Sequence, residues 1–279
     1  MNAGILQARH PSAGLYCNEF LRIAQTMENK SGEKLLSIFE YLVLQETPLR
    51  LLDISKGLGI NQSTALRFLT TLTNCGYVEQ DPETLRYTPT YRICTLASHV
   101  NRDRKLVEAA RPALLRVAEV FRESVSMSVE SHMQAVYVDV VRGADSALIA
   151  FQQIGGVSPM YCTGNGKLLL LNYTEEELDT YIREKGLKRF TEHTITTREG
   201  LLAELQAIRE RGYAYDEEER DLGIRCAAFP VRDLSGRVVA GISVSGPKER
   251  MRDEVIADKL PVLRAAAEEI SGKLGYKII

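Results

Sequence analysis

The chain has 279 residues, of which 44% are hydrophobic and 26% are charged, and its formal net charge is −2. This composition is typical of a globular protein long enough for two domains, and it shows no overall charge excess that would indicate a polyanionic partner. No apolar run approaches the roughly 18 residues of a membrane span, and five widely spaced cysteines without a C-x-x-C pair indicate a reducing cytoplasm rather than disulfides or a structural zinc site.

Residues 1–30 have no clear hydrophobic period, and they lack the basic start and apolar core of a secretory signal. We interpret them as an N-terminal extension. Over residues 31–90, helical periodicity predicts three short helices, the second stopped by Gly59 and the third capped by Asn61. Two strand-like runs around the turn sequence DPET then predict a β-hairpin. Three helices followed by a hairpin are typical of a winged helix-turn-helix domain.

The third helix has an unusual polar face. Ser63, Arg67, Thr70 and Asn74 lie on one stripe of it, although threonine and serine are poorer helix formers than the glutamate or lysine of an ordinary solvated face. Short hydroxyls, amides and arginine match the hydrogen-bonding groups of the DNA major groove, whereas carboxylates would repel phosphate. An ordinary surface helix of poor composition is the alternative. The residues predicted to contact DNA are Asn61, Gln62, Ser63, Thr64, Arg67, Thr70, Thr71 and Arg86.

The charge of residues 31–90 argues against strong DNA binding by this domain alone. It contains five lysines and arginines against seven carboxylates, a net charge of −2, whereas DNA-binding proteins draw most of their affinity from phosphate contacts. The acidic residues fall on the first two helices and around the hairpin turn. We therefore expect modest affinity for each protomer and a gain from dimerisation.

Residues 91–104 are predicted to form a basic linker helix, and residues 105–279 a second domain. This domain begins with a long amphipathic helix. Strand-like runs, three helices, three further strands and a closing helix over 253–274 follow, with "ALIAFQQ" at 147–153 among the expected strands. The pattern predicts an α+β protein, in which a winged helix-turn-helix is joined by a helix to a sensor-like α/β domain with a mostly antiparallel sheet flanked by helices.

Two motifs of the second domain indicate a ligand site. In "YCTGNGK" at 161–167, Thr163 is expected to cap a helix whose glycines let an anion approach backbone N–H groups. In "GISVSG" at 241–246, strand alternation places Ser243 and Ser245 on one face. Cys226 and Asp216 are candidates to complete the pocket. A tight turn and a solvated strand face are the alternatives for these motifs.

By its motifs, the chain resembles the IclR-type (isocitrate lyase regulator) family of bacterial transcriptional regulators. The resemblance spans about residues 31–276 and is carried by "LLDISKGLGINQSTALRFLTTLTNCGYVEQD", "SPMYCTGNGKLLL", "GYAYDEEERDLGIRC" and "GISVSGP". It implies a dimer or a pair of dimers that binds operator DNA and a small-molecule effector, without a cofactor or metal. Carried over to this chain, the effector-binding residues are Gly164, Asn165, Asp216, Cys226, Ser243 and Ser245. Where family members often have a small apolar residue before "GK", this chain has Asn165.

We expect the effector to be a small carboxylate or a similarly polar anion, because the glycine loop and the two serines offer donors to it. Asp216 is expected to accept a hydrogen bond from a hydroxyl or amino group on the same ligand. Two other functions are alternatives: a ligand sensor that no longer binds DNA, and an enzyme. The enzyme would use Cys162 or Cys226 as the nucleophile, with His132 or His193 as the base.

Overall fold

The computed structural model describes residues 29–98, 104–146 and 152–277. These residues form two compact units, one on either side of residues 99–103. Nearly all of the predicted extension, residues 1–30, lies outside the described residues, as does most of the predicted strand 147–153. Its last two residues, Gln152 and Gln153, are not in a strand.

The first unit is the predicted winged helix-turn-helix. Its elements are α1 (Lys30–Val43), β1 (Leu49–Arg50), α2 (Leu51–Leu58), α3 (Gln62–Asn74), β2 (Val78–Gln80), β3 (Arg86–Pro89) and α4 (Arg92–Ser98). The predicted hairpin gains a third strand, so the small antiparallel sheet has the order β1-β3-β2. The two-residue strand β1 was not predicted, because two residues carry no readable alternation.

Local signals set the helix boundaries of this unit. Gly59 ends α2 in the left-handed conformation, with φ of 64°, which is favourable for glycine. The side chain of Asn61 caps α3 by accepting a hydrogen bond from the Thr64 N–H at 2.8 Å. Ile38, Ile54 and Leu69 are fully buried in the shared core of the three helices, with each such side chain contributing about 1.5–3 kcal/mol on burial. The core therefore leaves the polar stripe of α3 outside.

The second unit is built on one antiparallel sheet of six strands in the order β6-β5-β4-β9-β8-β7. Its elements are α5 (Arg104–Phe121), β4 (Ser124–Ser131), β5 (Gln134–Val141), β6 (Val157–Ser158), α6 (Gly164–Leu170), α7 (Glu175–Lys185), α8 (Arg198–Arg211), β7 (Ala214–Glu217), β8 (Ile224–Arg232), β9 (Val238–Pro247) and α9 (Asp253–Lys273). Arg104, the last residue of the predicted linker, thus begins the long helix, one residue before the predicted start of the second domain. The predicted α+β class, with helices around an antiparallel sheet, is confirmed.

The two faces of this sheet differ in chemistry. One face carries Val125, Met127, Ile242 and Val244, and it packs against α5 and α9 in an apolar core. The opposite face lies under α6, which contacts β9, β8, β4, β7 and β5. Because side chains alternate along each strand, every second residue of β4, β8 and β9 points to this second face.

Glycine allows α6 to lie close to its surroundings. A Cβ on Gly166 would lie 2.3 Å from Cα and 2.5 Å from the carbonyl oxygen of Met160. A Cβ on Gly241 of β9 would lie 2.8 Å from Oδ1 of Asn165 and 3.1 Å from its Cα. The helix is therefore fixed to the sheet and to the preceding loop by contacts that only glycine permits.

We predict that Gly166→Ala destabilises the second unit by about 1–3 kcal/mol or more, because the added methyl meets backbone atoms that are unable to move independently. Gly272→Ala in α9 is the matched control, since nothing lies within 4 Å of its Cβ position. There the substitution should be neutral or stabilise by up to about 1 kcal/mol. Urea unfolding measures both free energies. Equal stability of the two variants would contradict the close approach.

Candidate effector site and DNA-reading helix

The exposed face of α3 carries the predicted DNA-contacting side chains. Asn61, Gln62, Ser63, Arg67, Thr70 and Thr71 are exposed, and Thr64 is partly buried. The hydroxyls of Thr70 and Thr71 donate to the carbonyls of Leu66 and Arg67 at 2.9 and 3.1 Å. Such bonds use the hydroxyl hydrogen within the helix, and they leave the hydroxyl oxygen as an acceptor and the methyl group exposed.

Arg67 is the most prominent donor on this face. Its guanidinium lies over the ring of Phe68, with 5.1 Å between Cζ and the ring centroid, and it forms no ion pair with a described residue. Arg86 differs, because its Nη1 donates to the carbonyl of Pro48 at 2.8 Å and so ties β3 to the segment before α2. One of its five N–H donors is therefore used within the fold.

In the second unit, strand register brings four distant residues into one row. Asp216 pairs with Cys226, Cys226 with Ser245, and Ser245 with Ser124, so all four point to the face under α6. A second row contains Ala228, Ser243 and Ser126. The start of α6 lies over these rows, because a Cβ on Gly164 would lie 3.0 Å from Cβ of Ala228 and 3.9 Å from Cβ of Cys226. The structure thus brings all six predicted effector-binding residues together.

The serines form two hydrogen-bonded groups, each with one amide side chain. Ser243 and Ser126 lie 3.0 Å apart at their Oγ atoms, and Nδ2 of Asn165 donates to Ser126 and Ser128 at 3.4 and 3.2 Å. Ser245 accepts from Nε2 of Gln152 at 3.0 Å. In the same chain of contacts, Ser124 donates to Oε1 of Gln152 at 2.7 Å.

Sequence reasoning missed Gln152 and three serines of β4. The serines at 124, 126 and 128 occupy alternate positions of "SVSMSVES", the same signal that predicted Ser243 and Ser245 on β9. Gln152 gives no such signal, because it lies outside any strand. Thr163 is the N-cap residue of α6, as predicted, but its side chain makes no capping hydrogen bond. Its hydroxyl instead donates to the carbonyl of Pro159 at 2.8 Å.

Two polar groups of the site, the side-chain oxygen of Asn165 and the carboxylate of Asp216, are less well paired than the serines. Oδ1 of Asn165 is buried against Gly241 and has no hydrogen-bond partner among the described residues. Asp216 is 3% exposed, and burial together with the charge of Glu219 raises its pKa to about 7. Unpaired buried polar groups are costly, so a group that pairs with them on binding gains affinity.

A buried ion pair lies beside Asp216. Lys167 of α6 is 1% exposed, and its ammonium contacts the carboxylate of Glu219 and, at 3.2 Å, that of Glu204. The backbone N–H of Glu219 in turn donates to Oδ1 of Asp216 at 2.8 Å. Burial raises the pKa of Glu219 by more than the charge of Lys167 lowers it, so this pKa lies above its usual value.

Among the described residues, no three His, Cys, Asp or Glu side chains converge as a metal site requires. None of the helices within residues 29–98, 104–146 and 152–277 combines the length and apolarity needed to span a bilayer.

Comparison with known proteins assigns both units. The family of the IclR helix-turn-helix domain matches residues 31–82, and that of the bacterial transcriptional regulator IclR C-terminal domain matches residues 98–272. The HTH-type transcriptional regulator KdgR of Escherichia coli (strain K12) is 32% identical over 232 residues, covering 83% of this chain and 88% of that protein.

Solved structures agree with this assignment. The crystal structure of Thermotoga maritima IclR has a TM-score of 0.77 and 32% identity, covering 88% of this chain and 99% of that one. An IclR homolog from Microbacterium hydrocarbonoxydans, solved in complex with 4-hydroxybenzoate, has the same fold at 21% identity, with a TM-score of 0.74 and coverage of 88% and 99%.

We predict that Lys167→Met lowers the free energy of unfolding by about 3–5 kcal/mol, because it leaves the carboxylate of Glu219 buried without its counter-charge. Lys248→Met is the matched control. Lys248 pairs with Glu218 at 3.2 Å but is 49% exposed, so its loss should cost less than about 1 kcal/mol. The double variant Lys167→Met/Glu219→Gln should recover part of the stability, and urea unfolding measures all three. An unchanged midpoint for Lys167→Met would contradict the structural role of the pair.

Proposed function

This chain belongs to the IclR family of bacterial transcriptional regulators, and we propose that it controls transcription by binding operator DNA through α3 and a small organic acid on the polar face of its sheet. The observation that carries the proposal is the convergence of distant polar residues under α6, in a chain whose other unit is a winged helix-turn-helix. An enclosed polar face coupled in one chain to a DNA-reading domain suits a ligand-controlled regulator.

The composition and exposure of α3 support operator recognition. This helix contains no carboxylate, and the sequence has none between Asp53 and Glu79. Arg67 has no competing ion pair among the described residues, so its planar donors are available to a guanine edge. We assign the principal base contact to Arg67 and secondary contacts to the amides and hydroxyls near the start of α3. Arg86 already donates one hydrogen bond to the carbonyl of Pro48, so we assign it a phosphate contact.

We further propose that the chain binds DNA as a homodimer or homotetramer. The net charge of −2 over residues 31–90 leaves one domain with few phosphate contacts. Two domains held together would read two half-sites spaced by about 34 Å, one helical turn, or by a multiple of it. The second binding event is then intramolecular, which offsets the low affinity of each domain.

The effector is assigned as a small organic acid that carries a hydroxyl group. The face under α6 offers serine hydroxyls and the backbone N–H groups of Gly164 and Asn165 to an anion. The unpaired Oδ1 of Asn165 accepts a hydrogen bond, which a hydroxyl supplies and a carboxylate does not. The ligand of the Microbacterium relative, 4-hydroxybenzoate, combines the same two groups.

An enzyme is the less favoured function. Burial and the nearby charge of Asp216 raise the pKa values of Cys162 and Cys226, which keeps both as unreactive thiols at neutral pH. His132 is exposed, and its Nδ1 contacts Ser131. The relatives are named as transcriptional regulators. We therefore propose a cytoplasmic regulator without catalytic activity, and turnover of a candidate acid by pure protein would contradict this.

We predict that Arg67→Ala weakens operator binding by about 1–3 kcal/mol, with a smaller loss for random DNA, because a bidentate base contact is sequence-specific. Lys34→Ala is the control with the same charge change, on α1 and away from the polar stripe. Fluorescence anisotropy with DNA from upstream of the coding region and with scrambled DNA measures both. If both DNAs lose affinity equally, Arg67 is only a phosphate contact.

We predict that Ser243→Ala/Ser245→Ala weakens binding of a hydroxy acid by roughly 1–3 kcal/mol, because the hydroxyl network that faces the ligand is lost. Calorimetry with glycolate, gluconate, pyruvate, 4-hydroxybenzoate and the neutral aromatic benzyl alcohol measures this. Ser131→Ala, at the end of β4, is the control. If benzyl alcohol binds best and the double variant binds it as well as wild type, the site is assigned wrongly.

A further inference from the structure

Asp216 is a buried carboxylate that forms no ion pair with any residue the structure describes. It is 3% exposed, and its Oδ1 accepts hydrogen bonds from the backbone N–H groups of Glu219 and Arg220 at 2.8 and 3.4 Å. The one hydrogen-bond contact of its Oδ2 within the described part of the chain is with the thiol of Cys226, at 3.9 Å. A thiol is a weak donor and cannot replace the solvation that an ionised carboxylate loses on burial.

The nearby cations are engaged elsewhere. The ammonium of Lys167 contacts Glu219 and Glu204. The guanidinium of Arg220 lies 4.2 Å from the ring centroid of Phe190 and 3.7 Å from Asp221. Of the described residues, none forms an ion pair with Asp216. The negative charge of Glu219 therefore acts on Asp216 more strongly than the partly neutralised charge of Lys167.

The other elements around Asp216 add no positive charge that compensates it. The titratable and charged groups that face it are Cys226 on β8, Tyr137 on β5, Cys162 before α6, Lys167 on α6, and Glu219 and Arg220 in the loop after β7. Burial raises the pKa of Tyr137 to about 12 and also raises the pKa values of both thiols, so these three groups are neutral near pH 7. Burial and the charge of Glu219 raise the pKa of Asp216 to about 7, which lies within the physiological range.

An organic acid bound on the same face of the sheet would bring a second negative charge close to Asp216. Two carboxylates that share a buried site without a compensating cation do not both ionise, and one of them takes a proton. We propose that Asp216 binds the effector in its protonated form, so that the site takes up a proton together with an anionic ligand. This inference rests on the proposed function and adds a regulatory input, since effector affinity then reports intracellular pH.

The proton uptake has a defined pH dependence. Below about pH 6, Asp216 already carries its proton, and binding should take up almost none. Above about pH 8, binding should take up close to one proton per site, and the dissociation constant should rise about tenfold for each pH unit. The proton remains on the Asp216 carboxyl group, which can donate it in a hydrogen bond to the ligand carboxylate.

Calorimetry of full-length protein with glycolate, gluconate, pyruvate and 4-hydroxybenzoate at pH 6, 7 and 8.5 tests this inference. Titrations in two buffers of different ionisation enthalpy give the number of protons taken up. For an acid that binds at pH 6, wild type should lose affinity by more than tenfold at pH 8.5. Asp216→Asn should bind it with little pH dependence, and Asp258→Asn, at an exposed position of α9, should behave as wild type. Binding by wild type with no proton uptake and no pH dependence would overturn the inference while leaving the proposed function intact.

A second measurement needs no ligand. Carbon-13 NMR of protein labelled at the aspartate carboxyl carbons, with Asp216→Asn to identify the signal, gives the titration of Asp216 directly. A midpoint near pH 7 supports the inference, and a midpoint near pH 4 overturns it. If none of the four acids binds at pH 6, the proposed effector class is wrong, and the NMR titration still decides whether Asp216 holds a proton.

Discussion

The close approach of α6 to the sheet is the constraint on which the site depends. Gly166 lies against the backbone of Met160, and Gly241 leaves the space that the side chain of Asn165 fills. A helix kept farther away by methyl groups would not hold its first residues over the serine rows. The same approach buries Lys167 completely, which requires the two carboxylates that contact it. Packing and electrostatics of the site are therefore set by one helix position.

The position of α6 creates a polar layer inside the domain. Such a layer is stable only if its polar groups are hydrogen-bonded to one another. The serines of β4 and β9 achieve this with the amides of Asn165 and Gln152. Oδ1 of Asn165 has no hydrogen-bond partner among the described residues, and Oδ2 of Asp216 has only the weak contact with the Cys226 thiol there. Burial of the apolar face, where α5 and α9 cover the sheet, stabilises the domain and offsets the cost of these incompletely paired polar groups. We regard the incomplete pairing as the physical basis of ligand selection.

Much of this architecture could be predicted from local patterns. Helical periodicity with Asn61 and Gly59 located helices α1 to α3 of the first unit, and strand alternation placed Ser243 and Ser245 on one face. The strands β1 and β6, of two residues each, are too short to show a period. The pair of Lys167 with Glu219 joins residues 52 positions apart, and no local pattern encodes it. The raised pKa of Asp216 likewise depends on tertiary burial, so the sequence predicted only an ordinary acceptor.

The central claim is that ligand binding on the sheet changes operator binding by α3. Its most direct test is the affinity of full-length protein for upstream DNA, measured by anisotropy with and without a saturating acid identified by calorimetry. Coupling between two sites typically changes affinity by about 5–150-fold, and the DNA must change the affinity for the acid by the same factor. We predict a reciprocal change of this size, in either direction, that is absent in Ser243→Ala/Ser245→Ala at the same acid concentration. An acid that saturates the protein and leaves operator affinity unchanged would contradict the account.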